Sequence, residues 1–518
     1  MNLFELEMRG IVKRFGNLTA NADVNLSIKK GEIRALVGEN GAGKTTLMRI
    51  LFGLYQPDDG EIRIRGRVVE FHSPRDAISH GIGMVHQHFM LFDDLSVAEN
   101  VVFGKEPRRW GLFFDRNKAE QEVEELGNSF GLQIDPAARL GSLSVGERQR
   151  VEILKTLYRG ANILILDEPT AVLTPQERDE LFAILRRLAD QGKTIILITH
   201  KLPEVMAVSH TATVLRHGAV AGTIKTSESS PRELALLMVG RDVMLNFERR
   251  PQEPGQEVLS VKNLFLNSSS SRPILKDISF MVRAGEIVGL AGVAGNGQTE
   301  LIDILVGLRQ ADRGSILING QDVTEENVLQ RRQKGMSYIP EDRYRRGLAI
   351  VSSVAENLAL GFHRRPPIGN RGIIRPRAMQ VWAQNLIKDY DIRVSSAMEA
   401  AGNLSGGNLQ KVVVAREFSH DSRLIIADQP TRGVDISATE FIHKMIINRR
   451  DAGDAVLLVS ADLDEITSLS DRILVISEGR IVADILAEEA NERELGLLMA
   501  GGENATTNTD NKTVMRRN

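Results

Sequence analysis

Residues Leu26 to Leu54 read "LSIKKGEIRALVGENGAGKTTLMRILFGL", and residues Ile278 to Leu308 read "ISFMVRAGEIVGLAGVAGNGQTELIDILVGL". The two lie over one another with Gly38 on Gly292 and Lys44 on Gln298, at an offset of 254 residues. Further on, "LSVGERQRVEI" from Leu143 matches "LSGGNLQKVVV" from Leu404, and Asp167 matches Asp428, now at an offset of 261. A register broken by one small insertion means two copies of one domain, and a repeat this long is a duplicated globular unit, not a solenoid. In each copy a β-branched, apolar run leads through a glycine turn into an amphipathic helical pattern, which predicts strand, loop and helix.

The chain's 518 residues exceed one ordinary core, since roughly 150 residues per domain allows two to four. The expected boundaries are a first domain over 1–243, a linker over 244–256, a second domain over 257–502 and a disordered tail over 503–518. The linker reading rests on "RRPQEPGQE", which collects proline, glycine and charge; the tail "GGENATTNTDNKTVMRRN" is polar and without period. With 42% hydrophobic and 26% charged residues, the composition is that of a soluble globular protein. No apolar run approaches the roughly 18 to 20 residues that span a bilayer, and "MNLFELEMRG" lacks the apolar centre of a secretory signal. The chain is therefore expected in the cytoplasm. It has no cysteine, which excludes disulfides and thiolate metal sites, and its net charge of −3 with interspersed signs offers no field for nucleic acid.

In the first copy, Gly38, Gly41 and Gly43 let the backbone approach phosphates, while the N–H groups of Glu39, Asn40, Ala42 and Thr46 and the helix N-terminus supply positive potential. Lys44 places a point charge between β- and γ-phosphates, and the Thr45 hydroxyl suits Mg²⁺. "ANILILDEPT" is a buried strand ending in two acids, where Asp167 suits Mg²⁺ and Glu168 can polarise the attacking water. "TIILITH" ends another strand at His200, within reach of a γ-phosphate if the two strands neighbour in a parallel sheet. Gln87 in "GMVHQHF" follows a third strand and could sense metal and water; His86 and His88 beside it read as loop residues, because no acid accompanies them. Any one of these features alone is common. A ligand-free glycine turn, an exposed acidic strand end or an ordinary core histidine would account for each.

"LSVGERQR" and "LSGGNLQK" each put serine and glycine at a helix start, where a hydroxyl and free N–H groups can grip an anion. Their place between a phosphate loop and an acidic strand resembles the ATP-binding cassette (ABC) ATPases over nearly the whole chain. The resemblance implies an α/β fold of two tandem P-loop domains, each with a mainly parallel core sheet, an antiparallel β subdomain and a helical subdomain. It also implies that two cassettes meet head to tail, each ATP lying between one cassette's phosphate loop and the other's signature.

On that pattern the half-site of the first phosphate loop takes Phe15 for adenine stacking, with Lys44, Thr45, Gln87, Asp167, Glu168 and His200. The second copy adds Ser405, Gly406, Gly407 and Asp435. All of these match the family pattern. The other half-site keeps Gly292, Gly297, Thr299 and Asp428 but has Gln298 for the lysine, Glu341 for the glutamine, Gln429 for the catalytic glutamate and Ala461 for the histidine. Its opposing signature, Ser144, Val145 and Gly146, has valine for glycine, and Thr174 stands for an aspartate. Every departure falls in one half-site, which implies one hydrolytic site and one that is silent or slow, where the retained Thr299 and Asp428 still suit Mg-nucleotide. Losing a charge-assisted lysine contact costs on the order of 1.5 to 3 kcal/mol, whereas losing a general base costs roughly two to four decades in rate.

Among ABC proteins, soluble twin-cassette factors acting on ribosomes or DNA carry a long charged linker that is absent here. "GNGQTEL", "PEDR", "GIGMVHQHFMLF" and "ADQPTRGVD" resemble the twin-cassette importers of monosaccharides (ribose, galactose) and their purine-nucleoside branch, closer to the latter. The resemblance implies an ATP-hydrolysing motor at the cytoplasmic face of the cell membrane, using ATP and Mg²⁺. Its implied partners are two integral-membrane permease subunits and an extracytoplasmic solute-binding protein, with one chain per transporter and no nucleic acid.

Overall fold

In the computed structural model the described residues are 4–16, 18–86, 89–110, 112–170, 173–242, 252–267, 273–293, 295–363, 365–370 and 373–499. The expected tail over 503–518 and most of the expected linker lie outside them. The chain divides into two compact units, Met1–Leu245 with Gly433–Glu440 and Asn246–Arg432 with Phe441–Asn518.

The first copy is built on six strands in the order Ala219–Lys225, Thr211–Arg216, Ile33–Val37, Thr194–Ile198, Ile163–Asp167 and Ile82–Val85. All neighbours are parallel except the edge strand Ala219–Lys225. The central strands are continuous apolar runs because both faces of the sheet are covered. Along "ILILD", Ile163 and Ile165 join one hydrophobic cluster and Leu164 and Leu166 the opposite one. A second, antiparallel sheet runs Leu18–Ile28, Leu6–Phe15, Asp59–Ile64, Arg67–Val69. Its half-buried character shows in Val24, Leu26 and Ile28, which alternate inward with polar neighbours. Between the strands Ile82–Val85 and Ile163–Asp167 stand the helices Val97–Val102, Arg116–Phe130 and Val145–Tyr158, whose buried valines and leucines extend the core.

The second copy repeats this plan. Its six-stranded sheet runs Met336–Ile339, Leu424–Asp428, Ala455–Val459, Ile287–Ala291, Arg472–Ser477 and Arg480–Leu486, and its inserted helices are Val354–Ala359, Pro376–Asp389 and Gly406–Phe418. Even the small devices recur: Ser96 with Glu99 and Ser353 with Glu356 form capping boxes that start equivalent helices. The expected α/β architecture of core sheet, antiparallel β portion and helical insert is present in both copies.

Candidate functional site

In the first copy the loop from Gly38 to Gly43 joins the buried strand Ile33–Val37 to the helix Lys44–Leu51. Gly43 starts that helix with φ 99°, and a Cβ there would lie 2.3 Å from the carbonyl oxygen of Ala20. Only glycine fits the bend. Register pairs Leu36 with Ile198 and Ile198 with Asp167, so the strand ends carrying the loop, His200 and the two acids stand side by side. The condition on which the His200 reading depended, neighbouring parallel strands, is met.

Lys44 is buried, and its Nζ donates to the carbonyls of Gly38 at 2.6 Å and Glu39 at 3.0 Å. Burial lowers its pKa, opposed by the carboxylates of Glu168, Asp167 and Glu39. The Thr45 side chain is exposed on the same turn. Glu168 holds the left-handed backbone conformation, φ 47°, which costs about 1 to 3 kcal/mol for a side-chain-bearing residue. Its N–H bonds the carbonyl of Ile198 at 2.9 Å, and its Oε1 lies 2.8 Å from His200 Nδ1. Burial pushes the Glu168 carboxyl upward, but the His200 bond and the charges of His200, Lys44 and Lys201 outweigh it, so the group sits below its ordinary range. Asp167 is moved the other way, by burial and then by the charge of Glu168. Adjacent acids driven apart in this way suit different tasks, one a base and the other a cation ligand. Phe15 is 43% exposed, with Tyr55 edge-on at 5.4 Å and Lys13 over its ring at 5.7 Å. Gln87 and His88 lie outside the described residues. His86 packs edge-on to Phe52 at 6.1 Å.

The second copy keeps the backbone and changes the chemistry. Gly297 repeats φ 99° and Gln429 repeats the left-handed φ at 50°, with its N–H on the carbonyl of Val459 at 2.8 Å. Gln298, however, turns its Nε2 to the carbonyl of Leu290 at 3.1 Å. Gln429 Oε1 accepts the backbone N–H of Ala461 at 3.1 Å in place of the acid–histidine pair. Glu341 is ion-paired with Arg432. Asp428 is pushed up to about 7 by burial, its Oδ2 lies 3.5 Å from the Tyr338 hydroxyl, and Arg346 beside them is held by Asp303 at 2.5 Å. Tyr338, Arg346 and Asp303 belong to no motif. Their signal is the charge reversal from Arg49 to Asp303 at the 254-residue offset.

The two signatures also differ. Ser144 caps the helix Val145–Tyr158, and Glu177 Oε1 accepts from the Gly146 N–H at 3.1 Å and the Ser144 hydroxyl at 3.3 Å. The other carboxylate oxygen of Glu177 takes the N–H of Thr174 at 3.0 Å, so one acid serves two helix starts. Ser405 caps the helix Gly406–Phe418 and is exposed, with Asn408 Nδ2 on its hydroxyl at 2.9 Å; the counterpart of Glu177 is Ala438. Asp435 accepts from the Ala438 N–H at 2.8 Å at the head of the helix Ile436–Asp451. Among the described residues no group of three or more His, Cys, Asp or Glu forms a metal cluster, so a cation here would depend on single acids and ligand oxygens.

Two phosphate loops of this build, each with an acidic strand and a serine-capped helix, define a twin-cassette P-loop ATPase. The profile of the ABC transporter family matches residues 22–171 and 275–432, and the chain belongs to that family. It is an ATP-binding subunit that hydrolyses ATP. It is similar to the guanosine import ATP-binding protein NupO of Bacillus subtilis (strain 168), 49% identical over 96% of this chain and 98% of the relative. It is also similar to the nucleoside import ATP-binding protein NupA of Lactococcus lactis subsp. cremoris (strain MG1363), at 46% over 96% and 98%. The glucose import ATP-binding protein TsgD13 of Haloferax volcanii is 45% identical over 97% and 96%. A chain in the crystal structure of the archaeal ribosomal stalk protein aP1 with the ribosome recycling factor aABCE1 matches 92% of this chain and 90% of its own, with TM-score 0.61 and 20% identity. That likeness is one of fold alone.

Proposed function

We propose that this chain is the motor of an importer of nucleosides and that its turnover is confined to the first phosphate loop. One observation carries the division of labour: Glu168 is paired with His200 at 2.8 Å beside buried Lys44, where the second copy has Gln429 on the Ala461 backbone and a neutral Gln298. In the hydrolytic site Lys44 leaves the loop carbonyls for the ATP phosphates, Glu168 accepts the proton of the attacking water, and His200 fixes the Glu168 carboxylate. Phe15 stacks on the base. Ser405, Gly406, Gly407 and Asp435 complete the site from the second copy, so one chain serves one transporter. The donor set suits Mg²⁺: Asp167 is a desolvated carboxylate whose raised pKa a cation would reverse, and Thr45 is exposed with a hydroxyl to offer. Mg²⁺ when bound supplies charge neutralisation at the phosphate oxygens. Gln87 is proposed as its further ligand.

The solute reading is supported by the end-to-end similarity to guanosine and nucleoside import proteins; the glucose import relative favours a monosaccharide as the second reading. The partners are permease subunits, two per transporter, and a solute-binding protein, which places the chain at the cytoplasmic face of the membrane. Among the described residues no helix is long and apolar enough to cross it. The test is ATPase activity of the transporter reconstituted with its permeases and binding protein. Stimulation by nucleosides and not by ribose, galactose or glucose is expected. Stimulation by sugars alone selects the second reading, and co-sedimentation with ribosomes instead of permeases contradicts both.

A further inference from the structure

An open groove of about 1130 Å³ on the first copy is lined by Arg65, Arg67, Arg75, His80, Lys105 and Arg159, with no aspartate or glutamate among its lining residues. Gly81 and Asn162, also in the lining, precede the strands Ile82–Val85 and Ile163–Asp167, so the groove sits at the opposite end of the sheet from Asp167 and the phosphate loop. Five extended residues, roughly 17 Å, separate the two. ATP hydrolysis therefore gives no reason for this charge.

Part of the charge is already used. Arg65 is ion-paired to Glu5 at 2.8 Å, Arg159 Nη2 donates to the carbonyl of Phe103 at 2.9 Å, and Lys105 lies 5.8 Å above the Tyr158 ring. Arg67 and Arg75 are exposed and, among the described residues, neither side chain forms a hydrogen bond or ion pair. The duplication supplies a control. At the places of Arg65, Arg67, Arg75, Lys105 and Arg159 the second copy has Asn319, Gln321, Leu329, Phe362 and His420, while His80 is matched by another basic residue, Lys334; Phe362 stacks on His420 at 4.1 Å and meets Trp382 at 4.9 Å. The fold thus does not require arginine at positions 67, 75 and 159. Crowded guanidinium groups repel one another, and a concave wall focuses their field on whatever enters. Arginine's planar fork matches phosphate oxygens in pairs.

We propose that this groove binds a phosphate-bearing anion, supplied either as a free polyphosphate-type molecule or as the headgroup of an anionic phospholipid. Arg67 and Arg75 are its principal contacts.

The test uses the full chain with both phosphate loops saturated by a non-hydrolysable ATP analogue and Mg²⁺, so that only other sites respond. Inorganic tripolyphosphate is titrated by calorimetry, and vesicles of phosphatidylglycerol with phosphatidylcholine are compared with phosphatidylcholine alone by co-sedimentation. The expected result is salt-sensitive binding of one or both probes. Binding should weaken by about tenfold or more in the Arg67→Gln, Arg75→Gln double variant and be partly kept in Arg67→Lys, Arg75→Lys, with ATPase activity and melting midpoint unchanged in both. Binding of tripolyphosphate alone assigns the free anion, and binding of phosphatidylglycerol vesicles alone assigns the lipid. Binding that survives the glutamine pair, failure of both probes, or capture only of a polyglutamate peptide overturns the proposal.

Discussion

At the scale of single residues, the functional contrast is between Glu168 with His200 and Gln429 with Ala461. The backbone is nearly the same, φ 47° against 50°, so the strained conformation is retained even where the side chain has lost its basicity. Geometry alone therefore does not make a base; charge and its partner do. Replacing His200 by alanine removes the group that holds the Glu168 carboxylate at 2.8 Å. The expected outcome is a fall in kcat of about a hundredfold with ATP affinity little changed, measured by turnover and equilibrium nucleotide binding in the same preparation. Replacing Gln298 by lysine should strengthen nucleotide binding at the second loop without raising turnover, since Gln429 still supplies no base. The proposed roles of these residues come from the sequence, because phosphate chemistry demands particular side chains at fixed spacing. The Tyr338–Asp428 contact with Arg346 and Asp303 beside it does not, since those residues meet only through folding.

At the scale of elements, helix starts and half-buried rings carry the differences. Glu177 caps its own helix at Thr174 and also takes the Gly146 N–H of the signature helix, so Glu177→Ala frays two helix starts at once. A loss of about 1 to 2 kcal/mol is expected, read as a lower denaturation midpoint at unchanged slope. The serine caps themselves were readable from "LSVGE" and "LSGGN", but the long-range Glu177 bond was not, because it joins residues 31 positions apart. In the second copy, burial and the nearby Arg332 push His420 down to about 4. Its folded pKa lies below the unfolded value of about 6.5, so the unfolded chain binds more protons between the two. Stability from neutral His420 is thus full above about pH 6.5 and lost as pH falls toward 4, by on the order of 1 to 2 kcal/mol after solvent screening. Melting curves of the wild type and His420→Phe from pH 7 to 4.5 should diverge in that direction. A constant difference across the range would contradict the reading.

At the scale of the whole molecule, the repeat is the strongest statement the sequence makes. Two offsets, 254 and 261, were enough to predict a duplicated domain, and the family resemblance supplied the parallel core sheet of each copy, in which apolar runs such as "NILILD" are covered on both faces. The basic groove of the first copy escaped that reading, since its arginines and lysine are scattered from Arg65 to Arg159 and converge only in three dimensions. On the function proposed above, one of the two phosphate loops turns over ATP and the other does not. Single-turnover hydrolysis in the assembled transporter tests it most directly, with Glu168→Gln and Gln429→Glu measured beside the wild type. Glu168→Gln is expected to bind ATP and stay closed with hydrolysis reduced by two to four decades, about the loss of a general base. Gln429→Glu is expected to match the wild-type rate, since restoring one member of a group that acts together restores little. Substantial turnover in Glu168→Gln, or a doubled rate in Gln429→Glu, would contradict the claim.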